Sequence, residues 1–144
     1  MEAAVAYYNA TGKDKFLGLM CDYADMIEKA FVTEKWAEFE TPGHEEIELA
    51  LVKLWKTTGE KRYLDLSKHF VDVRGQEFDE YTQAHMPVRE QKTAEGHAVR
   101  AVYLYCAMAD LALKYGDTAL KDACKAIFDN IAEKRISECE GNDE

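Results

Sequence analysis

Three short stretches, ATGKDKFLGL (10–19), TTGEKRYLDL (57–66) and KYGDTALKDA (114–123), decide the fold of this 144-residue chain. In each of them a glycine ends one helical pattern, and the next helical pattern begins within a few residues. Glycine readily adopts the left-handed conformation that closes a helix, so each stretch predicts the tight turn of a helical hairpin. The glycines are Gly12, Gly59 and Gly116, separated by 47 and 57 residues. This spacing indicates an internal repeat.

Apolar residues between these turns recur every three or four positions, which is the spacing of amphipathic helices. The pattern covers residues 16–31, 47–54, 63–73 and 120–131. From Ala98 to Ala112 nearly every position is apolar or aromatic, so we expect that helix to be covered on nearly all sides. No stretch alternates convincingly with period two. The sequence therefore predicts an all-α protein of stacked helical hairpins, either an open solenoid or a closed α/α toroid.

The composition is that of a soluble globular domain with an acidic surface. Apolar residues make up 47% and charged residues 32% of the chain, and the formal net charge is −10. This charge argues against a nucleic-acid partner, because phosphate contacts need a basic face. No apolar run approaches the length that spans a bilayer, and no secretion signal is visible at the N-terminus, so we expect no membrane partner.

The cysteines predict a reducing compartment. Cys21, Cys106, Cys124 and Cys139 are widely separated, with neither a CxxC pair nor a metal-ligand spacing to histidine. The first three lie inside helical patterns, where a buried free thiol behaves as a small apolar side chain. We therefore expect a cytoplasmic protein, with no metal or cofactor held by this chain.

Two Gly-His pairs open helical patterns, in TPGHEEIELALVKLW (41–55) and in EGHAVRAVYLY (95–105). Each lies at the far end of a hairpin's first helix from the glycine turn, so we expect His44 and His97 on one rim. A helix N-terminus favours the neutral imidazole, which donates from one nitrogen and accepts at the other, and so suits a sugar hydroxyl or a carbonyl. The alternative, that each histidine only caps its helix or fills the loop, stays open.

The loop YTQAHMPVREQ (81–91) gathers polar side chains around one proline. Arg89 and Glu90 could hold this loop by a salt bridge, which would leave His85 or Gln91 to reach a ligand. The alternative is a loop that satisfies its own polar groups. Aromatic residues in or beside the loops could stack on a ring, although core packing or loop anchoring is their commoner role. They are Trp36, Phe39, Phe78 and Tyr81.

Two charged residues fall within first-helix patterns that are otherwise largely apolar. Arg100 lies three residues after His97 on the same helical face, where it could support the loops and needs an anionic partner. Glu48, Glu90 and Glu95 are the candidates for that partner. Glu48 is itself a charge within a first-helix pattern, and a buried polar residue of this kind is more informative than a surface charge.

Three segments together resemble the beta-L-arabinofuranosidase family, glycoside hydrolase family 127. In chain order they are TPGHEEIELALVKLWKTTGEKRYLDLSKHFVDVRG (41–75), YTQAHMPVREQ (81–91) and EGHAVRAVYLYCAMADLA (95–112). The resemblance runs from about Tyr7 to Arg135. It implies an α/α toroid catalytic domain followed by β-sandwich domains, and release of terminal beta-L-arabinofuranose from plant-type oligosaccharides with retention of configuration. It also implies that His44 and His97 contact the sugar.

The resemblance further implies a zinc-bound cysteine as nucleophile and a glutamate as acid/base, and both belong to segments beyond the last helix of this chain. ISECEGNDE (136–144) stands where the family continues toward them, and Cys139 matches no zinc-ligand motif. MEAAVAYYNATG (1–12) reads as the last turns of a helix whose partner is missing. We therefore expect residues 1–136 to form a partial toroid and residues 137–144 an acidic tail.

Three hypotheses for the function follow. The first is a fragment of a retaining glycoside hydrolase that is inactive alone but keeps part of a site for L-arabinofuranose-containing oligosaccharides. The second is a helical-repeat interaction or scaffold protein without catalysis. The third, a small hydrolase with its site at an oligomer interface, is the least favoured. Missing neighbours would leave apolar flanks of the terminal hairpins in water, so we expect a homo-oligomer or a marginally stable monomer.

Overall fold

A computed structural model describes residues 1–76 and 79–135, and it contains six α-helices and no strand within those ranges. The helices form three successive hairpins. Their bounds are α1 Glu2–Thr11, α2 Lys15–Glu28, α3 Glu46–Thr58, α4 Lys61–Val73, α5 Ala98–Tyr115 and α6 Thr118–Asn130. A π-helical turn extends α2 over Lys29–Thr33 and another extends α6 over Ile131–Arg135. The prediction of an all-α chain of hairpins is confirmed, and the acidic tail proposed for residues 137–144 lies outside the described residues.

The three glycine turns adopt the conformation that the sequence predicts. Gly12, Gly59 and Gly116 follow α1, α3 and α5 with φ of 69°, 78° and 65°, in the left-handed region. Each backbone N–H returns to a carbonyl four residues earlier, which closes the helix. The next helix begins at most three residues later, so each pair of helices runs antiparallel.

The first helices of the hairpins form one layer, with α1 packed against α3 and α3 against α5. Ion pairs at two heights show that α3 and α5 are parallel. Arg100 meets Glu45 near their N-termini at 3.5 Å, and Lys56 meets Asp110 near their C-termini at 2.8 Å. Both helices therefore begin at the same end of the layer, which we call the rim.

The hydrophobic core is divided into two clusters by α3. Leu51 and Leu54 pack with α1, α2 and α4, whereas Val52 packs on the opposite side with α5 and α6. All three side chains are fully buried. This arrangement is typical of repeat architectures, in which each hairpin buries its apolar surface only against its neighbours.

The prediction that α5 is covered on nearly all sides is wrong. Leu104 and Met108 are fully buried against α3 and α6, but Val99, Val102 and Leu113 are 56%, 52% and 85% exposed. The reason is geometric, because α5 packs against α3 on one flank and no further described helix covers its other flank. The apolar sequence of α5 therefore forms a core stripe and an exposed stripe.

The connection from α4 to α5 starts at the rim and then leaves it. Its short 3₁₀ helix, Val88–Glu90, packs against α6. Val88 is 1% exposed and belongs to the same cluster as Leu104. Further along, the backbone N–H of Ala94 donates to the side chain of Asn130. The connection thus descends into the outer layer, closes the space beside α6 and returns to the rim at His97.

None of the helices in the described ranges has the length and apolar character required to cross a membrane.

The division of α5 into a buried stripe and an exposed stripe is tested by substituting one residue from each, Leu104 and Leu113. We expect Leu104→Ala to lower the free energy of unfolding by about 2–5 kcal/mol, because it opens a cavity in a filled cluster. Leu113→Ala, on the same helix at 85% exposure, should change it by less than about 0.5 kcal/mol. Urea denaturation followed by circular dichroism measures both values. Equal losses for the two variants would contradict the exposed stripe.

Candidate functional site

The two histidines lie at the starts of parallel helices, and both are exposed at the rim. His44 stands two residues before α3, and its Nδ1 accepts a hydrogen bond from the backbone N–H of Glu46 at 3.1 Å. His97 is the N-cap of α5, and its Nδ1 accepts from the backbone N–H of Arg100 at 3.5 Å. Both imidazoles therefore satisfy backbone donors that the first helical turn would otherwise leave unpaired.

This capping determines which nitrogen remains for a ligand. A neutral imidazole whose Nδ1 accepts a hydrogen bond carries its proton on Nε2. In His44 and His97 the capping thus selects the tautomer in which Nε2–H is a donor. Capping and ligand binding use different nitrogens, so the two alternatives raised by the sequence are compatible. Each ring caps its helix and still presents one donor.

Aromatic and cationic side chains surround the two rings. The ring of Tyr103, one helical turn into α5, lies edge-on to His44 with centroids 6.0 Å apart. Tyr81 lies edge-on to His97 at 5.5 Å, and the guanidinium of Arg100 lies 5.1 Å from the centroid of the Tyr81 ring. Both histidines thus contact residues near the start of α5, Tyr103 in the case of His44 and Arg100 in the case of His97.

Glycine at position 96 allows the chain to approach the 80–83 turn closely. Gly96 has a φ of 73°, and a Cβ there would collide with the carbonyl oxygen of Glu80 and approach the Gln83 Nε2 to 2.7 Å. The next residue, His97, donates its backbone N–H to the carbonyl of Tyr81 at 3.2 Å. Only a residue without a side chain fits this approach, which holds His97 against the turn.

Arg100 finds its anionic partner at a residue that was not among the candidates. Its Nη1 donates to the carbonyl of Gly43 at 2.9 Å and lies 3.5 Å from the Glu45 carboxylate. Glu48 pairs with Arg74 and Glu95 with Arg135, and Glu90 is exposed. Arg100 therefore connects α5 to the turn that carries His44.

A buried ionic cluster lies directly beneath this surface. Arg74, which follows α4, is 1% exposed at its side chain and reaches Glu48 at 2.7 Å and Glu45 at 3.5 Å. It also donates to the carbonyl of Thr82 at 2.9 Å. Glu45 and Glu48 are 1% and 0% exposed at their side chains. Sequence reasoning missed Glu45 and Arg74. The available signal was the run of acidic residues after His44, with an arginine ending the α4 pattern.

Burial raises the pKa of Glu48 to about 7, because the charged carboxylate loses its contact with water. The Arg74 guanidinium opposes this effect by its charge and its hydrogen bond, while the neighbouring Glu45 carboxylate adds to it. The second oxygen of Glu48 accepts no hydrogen bond from any described residue. The cluster thus holds one carboxylate near its titration point, close to neutral pH.

In the 81–91 loop, Arg89 makes a different salt bridge from the one expected with Glu90. Arg89 pairs with Asp72 and Asp117, each at 2.7 Å, rather than with Glu90. Asp117 caps α6 at the far end of the 18-residue helix α5, about 27 Å from its start. Arg89 therefore anchors the descending loop to both outer helices, α4 and α6.

Gln91 is 1% exposed, and its Nε2 donates to the carbonyls of Gln83 and Met86 at 2.9 and 3.0 Å. The side chain thus holds the loop together from inside. His85 is partly buried, and no described residue hydrogen bonds to its buried Nδ1. Of the aromatic residues considered, Trp36, Phe39 and Tyr81 are exposed at 59%, 71% and 53%, whereas Phe78 lies outside the described residues.

The described residues do not fit a zinc site. Within ranges 1–76 and 79–135, no three side chains of His, Cys, Asp or Glu come together as a metal ion requires. Cys21, Cys106 and Cys124 are free thiols on helices. Burial raises the pKa of Cys124 to about 11, which keeps it protonated and a poor metal ligand. Cys139 lies outside the described residues.

The sequence matches one family model, described as "Beta-L-arabinofuranosidase, GH127 catalytic domain", over residues 1–138. Among curated proteins, the chain is 40% identical over 159 aligned residues to the non-reducing end beta-L-arabinofuranosidase of Bifidobacterium longum subsp. longum. That alignment covers 94% of this chain and 24% of the relative. The resemblance inferred from the three motifs is confirmed.

Solved structures agree with this result. A GH127 beta-L-arabinofuranosidase from Geobacillus stearothermophilus T6 superposes with a TM-score of 0.80 and 49% identity, over 90% of this chain and 24% of that chain. A second GH127 beta-arabinofuranosidase gives a TM-score of 0.84 and 48% identity, over 90% of this chain and 21% of that chain. The three hairpins are thus a segment of an α/α toroid, and this chain spans about a quarter of the length of these relatives.

The raised pKa of Glu48 predicts a pH-dependent stability. Between pH 4.5 and about 7 the folded state binds a proton that the unfolded state has released. Stability should therefore fall as the pH rises through this interval, by up to about 3 kcal/mol. Glu48→Gln, which mimics the protonated form, should lack this component. Urea denaturation of both proteins from pH 4.5 to 8 measures the difference. Parallel curves for the two proteins would contradict a raised pKa.

Proposed function

The chain belongs to the beta-L-arabinofuranosidase family, glycoside hydrolase family 127, and we propose that it carries part of a sugar-binding pocket on its rim. The ligand is an L-arabinofuranose-containing oligosaccharide, recognised at its terminal sugar. Its relatives named above are beta-L-arabinofuranosidases, and their names support this choice of ligand. The residues that bind the sugar are His44 and His97.

One observation carries the proposal. Two exposed histidines start parallel neighbouring helices at the same end, and each is capped through Nδ1. Each ring therefore offers one Nε2–H donor of fixed tautomer, which suits a sugar hydroxyl or ring oxygen. Exposed aromatic rings beside the histidines, such as Tyr81, add the apolar surface that carbohydrate sites commonly combine with a few polar groups.

We further propose that the complete reaction is retaining hydrolysis, and that this chain does not perform it alone. The family resemblance implies a glutamate acid/base and a zinc-bound cysteine nucleophile in segments beyond the last helix. The residues of this chain contribute sugar contacts and their support, and no hydrolytic step is assigned to them.

The sugar site is tested by titrating the 144-residue chain with methyl beta-L-arabinofuranoside, whose ring is locked as the furanose. We expect binding that His44→Ala and His97→Ala each weaken by about tenfold, because each removes a donor to a sugar hydroxyl. Isothermal calorimetry measures the dissociation constants. A chromogenic beta-L-arabinofuranoside should give no turnover with any of the three proteins.

His69→Ala is the matched control, because His69 lies on the outer helix α4 beside Phe70. It should leave the affinity unchanged. A control sugar, methyl beta-D-galactopyranoside, separates arabinofuranose recognition from general sugar binding. Unchanged heats on removal of His44 or His97 would refute the assignment of the site, and turnover of the chromogenic substrate would refute the division of catalytic roles.

A second function, that of a helical-repeat interaction protein, is favoured by the exposed apolar stripe. Val99, Val102 and Leu113 of α5 join Phe128 of α6, which is 68% exposed. Phe16 and Leu19 of α2, at 40% and 55%, add apolar exposure on the first hairpin. Exposed apolar patches of this kind mark contact surfaces. The surface would then associate with another protein or with a second copy of this chain.

Size-exclusion chromatography with light scattering tests self-association. We expect a homo-oligomer, or a monomer of low thermal stability, because the apolar stripe is in water in the isolated chain. Leu113→Lys together with Phe128→Lys should shift the assembly toward the monomer. A compact monomer that unfolds above about 65 °C would count against the association.

A further inference from the structure

We propose that the ion pair between Glu45 and Arg100 is a positioning device that sets the two sugar-binding histidines at a fixed distance and angle. We call this pair the rim bridge. The inference rests on the function proposed above, because it concerns how His44 and His97 are held. It concerns support of the histidines and assigns Glu45 and Arg100 no contact with the sugar.

The rim bridge is adjacent to both histidines along the chain. Glu45 directly follows His44, and Arg100 lies one helical turn after His97. Arg100 also donates from its backbone to His97 and from its side chain to the carbonyl of Gly43, the residue before His44. One residue therefore contacts both Gly-His pairs, through the backbone of each turn and through the Glu45 carboxylate at 3.5 Å.

The bridge is supported from below by groups that cannot move freely. The Glu45 side chain is 1% exposed and lies 3.5 Å from Arg74, which itself reaches Glu48 at 2.7 Å and the carbonyl of Thr82 at 2.9 Å. These contacts join α3, the end of α4 and the 80–83 turn. Moving the Glu45 carboxylate away from Arg74 would separate two buried charges, which is energetically costly. The cluster therefore keeps Glu45 in one place.

Arginine is suited to this bridge in a way that lysine is not. The planar guanidinium donates to the Gly43 carbonyl, faces the Glu45 carboxylate and lies over the Tyr81 ring at 5.1 Å. A lysine ammonium is a compact point charge, which could keep the ion pair but not all three contacts together. Tyr81 is itself edge-on to His97. Loss of the contact between Arg100 and the Tyr81 ring would therefore leave the rings of Tyr81 and His97 less firmly held.

A fixed separation of the histidines matters because the site presents two donors to one small ligand. Binding groups have to be held to within about 0.5 Å of the productive geometry by supporting contacts. The capping bonds set the tautomer of each ring, but each acts only within its own turn. Arg100 relates one turn to the other, through the rim bridge and through its hydrogen bond to the Gly43 carbonyl.

The experiment compares Arg100→Lys and Glu45→Gln with the unaltered 144-residue chain. Ring-to-ring nuclear Overhauser effects between His44 and Tyr103 and between Tyr81 and His97 report the geometry directly. Calorimetry with methyl beta-L-arabinofuranoside reports affinity, and thermal unfolding reports stability. We expect Arg100→Lys to weaken both sets of cross-peaks by at least about half and to lower affinity by about tenfold or more.

Arg62→Lys is the matched control. Arg62 makes contacts of the same kinds as Arg100, with the Asp25 carboxylate at 2.5 Å and the Tyr63 ring at 5.0 Å. It lies at the start of α4, 12 residues from Arg74, which is about 18 Å along the helix. Its substitution should leave both cross-peak sets and the affinity unchanged.

Cross-peaks and affinity within about twofold of the unaltered chain in Arg100→Lys would overturn the proposal. A fall in melting temperature alone would also overturn it, since a purely structural role would produce that result. If the unaltered chain fails to bind the sugar, the proposed function fails, and the cross-peaks alone decide whether the bridge positions the histidines. Glu45→Gln removes the charge of the rim bridge but keeps the side-chain shape. If Arg100→Lys does not fold, the same cross-peak and affinity criteria are applied to Glu45→Gln.

Discussion

The parallel packing of α3 against α5 is the constraint on which the rest of the molecule depends. Each outer helix runs antiparallel to the first helix of its hairpin and so ends at the rim, where the next first helix begins. The 74–97 connection starts and ends at the rim, and Arg89 anchors its middle to α4 and α6 through Asp72 and Asp117. Because α3 and α5 then start side by side, whatever precedes each helix is brought to one surface. This is how two short Gly-His pairs, far apart in sequence, become neighbours.

Helix capping and electrostatics together give this surface its chemistry. An unpaired N–H in a first turn needs an acceptor, and the Nδ1 atoms of His44 and His97 supply it. Beneath them, Glu45, Glu48 and Arg74 lie almost fully out of water. Such a cluster adds little net stability, since desolvation offsets most of the attraction between charges. What it does provide is a fixed arrangement, because any displacement would separate buried charges.

Local chemistry explains why much of the fold could be predicted from the sequence. Gly59 and Gly116 occupy left-handed turns because few other residues tolerate that conformation, and the three-or-four residue spacing of apolar side chains marks each helix. The positions of His44 and His97 at helix starts followed from the same reasoning. The exposed flank of α5 could not be predicted, because an apolar residue has the same sequence signal whether a neighbour covers it or not.

The sequence by itself determined the elements of this protein, namely its helices, its hairpin turns and its family, because each of these depends on residues close together in the chain or on recognisable motifs. Only the tertiary structure decided which charges meet. Arg100 pairs with Glu45 rather than with Glu48, Glu90 or Glu95, and Arg89 pairs with Asp72 and Asp117 rather than with Glu90. The physical reason is that ionic partners are chosen by distance and burial after the helices have packed, and an acidic chain offers many carboxylates of equal sequence appearance.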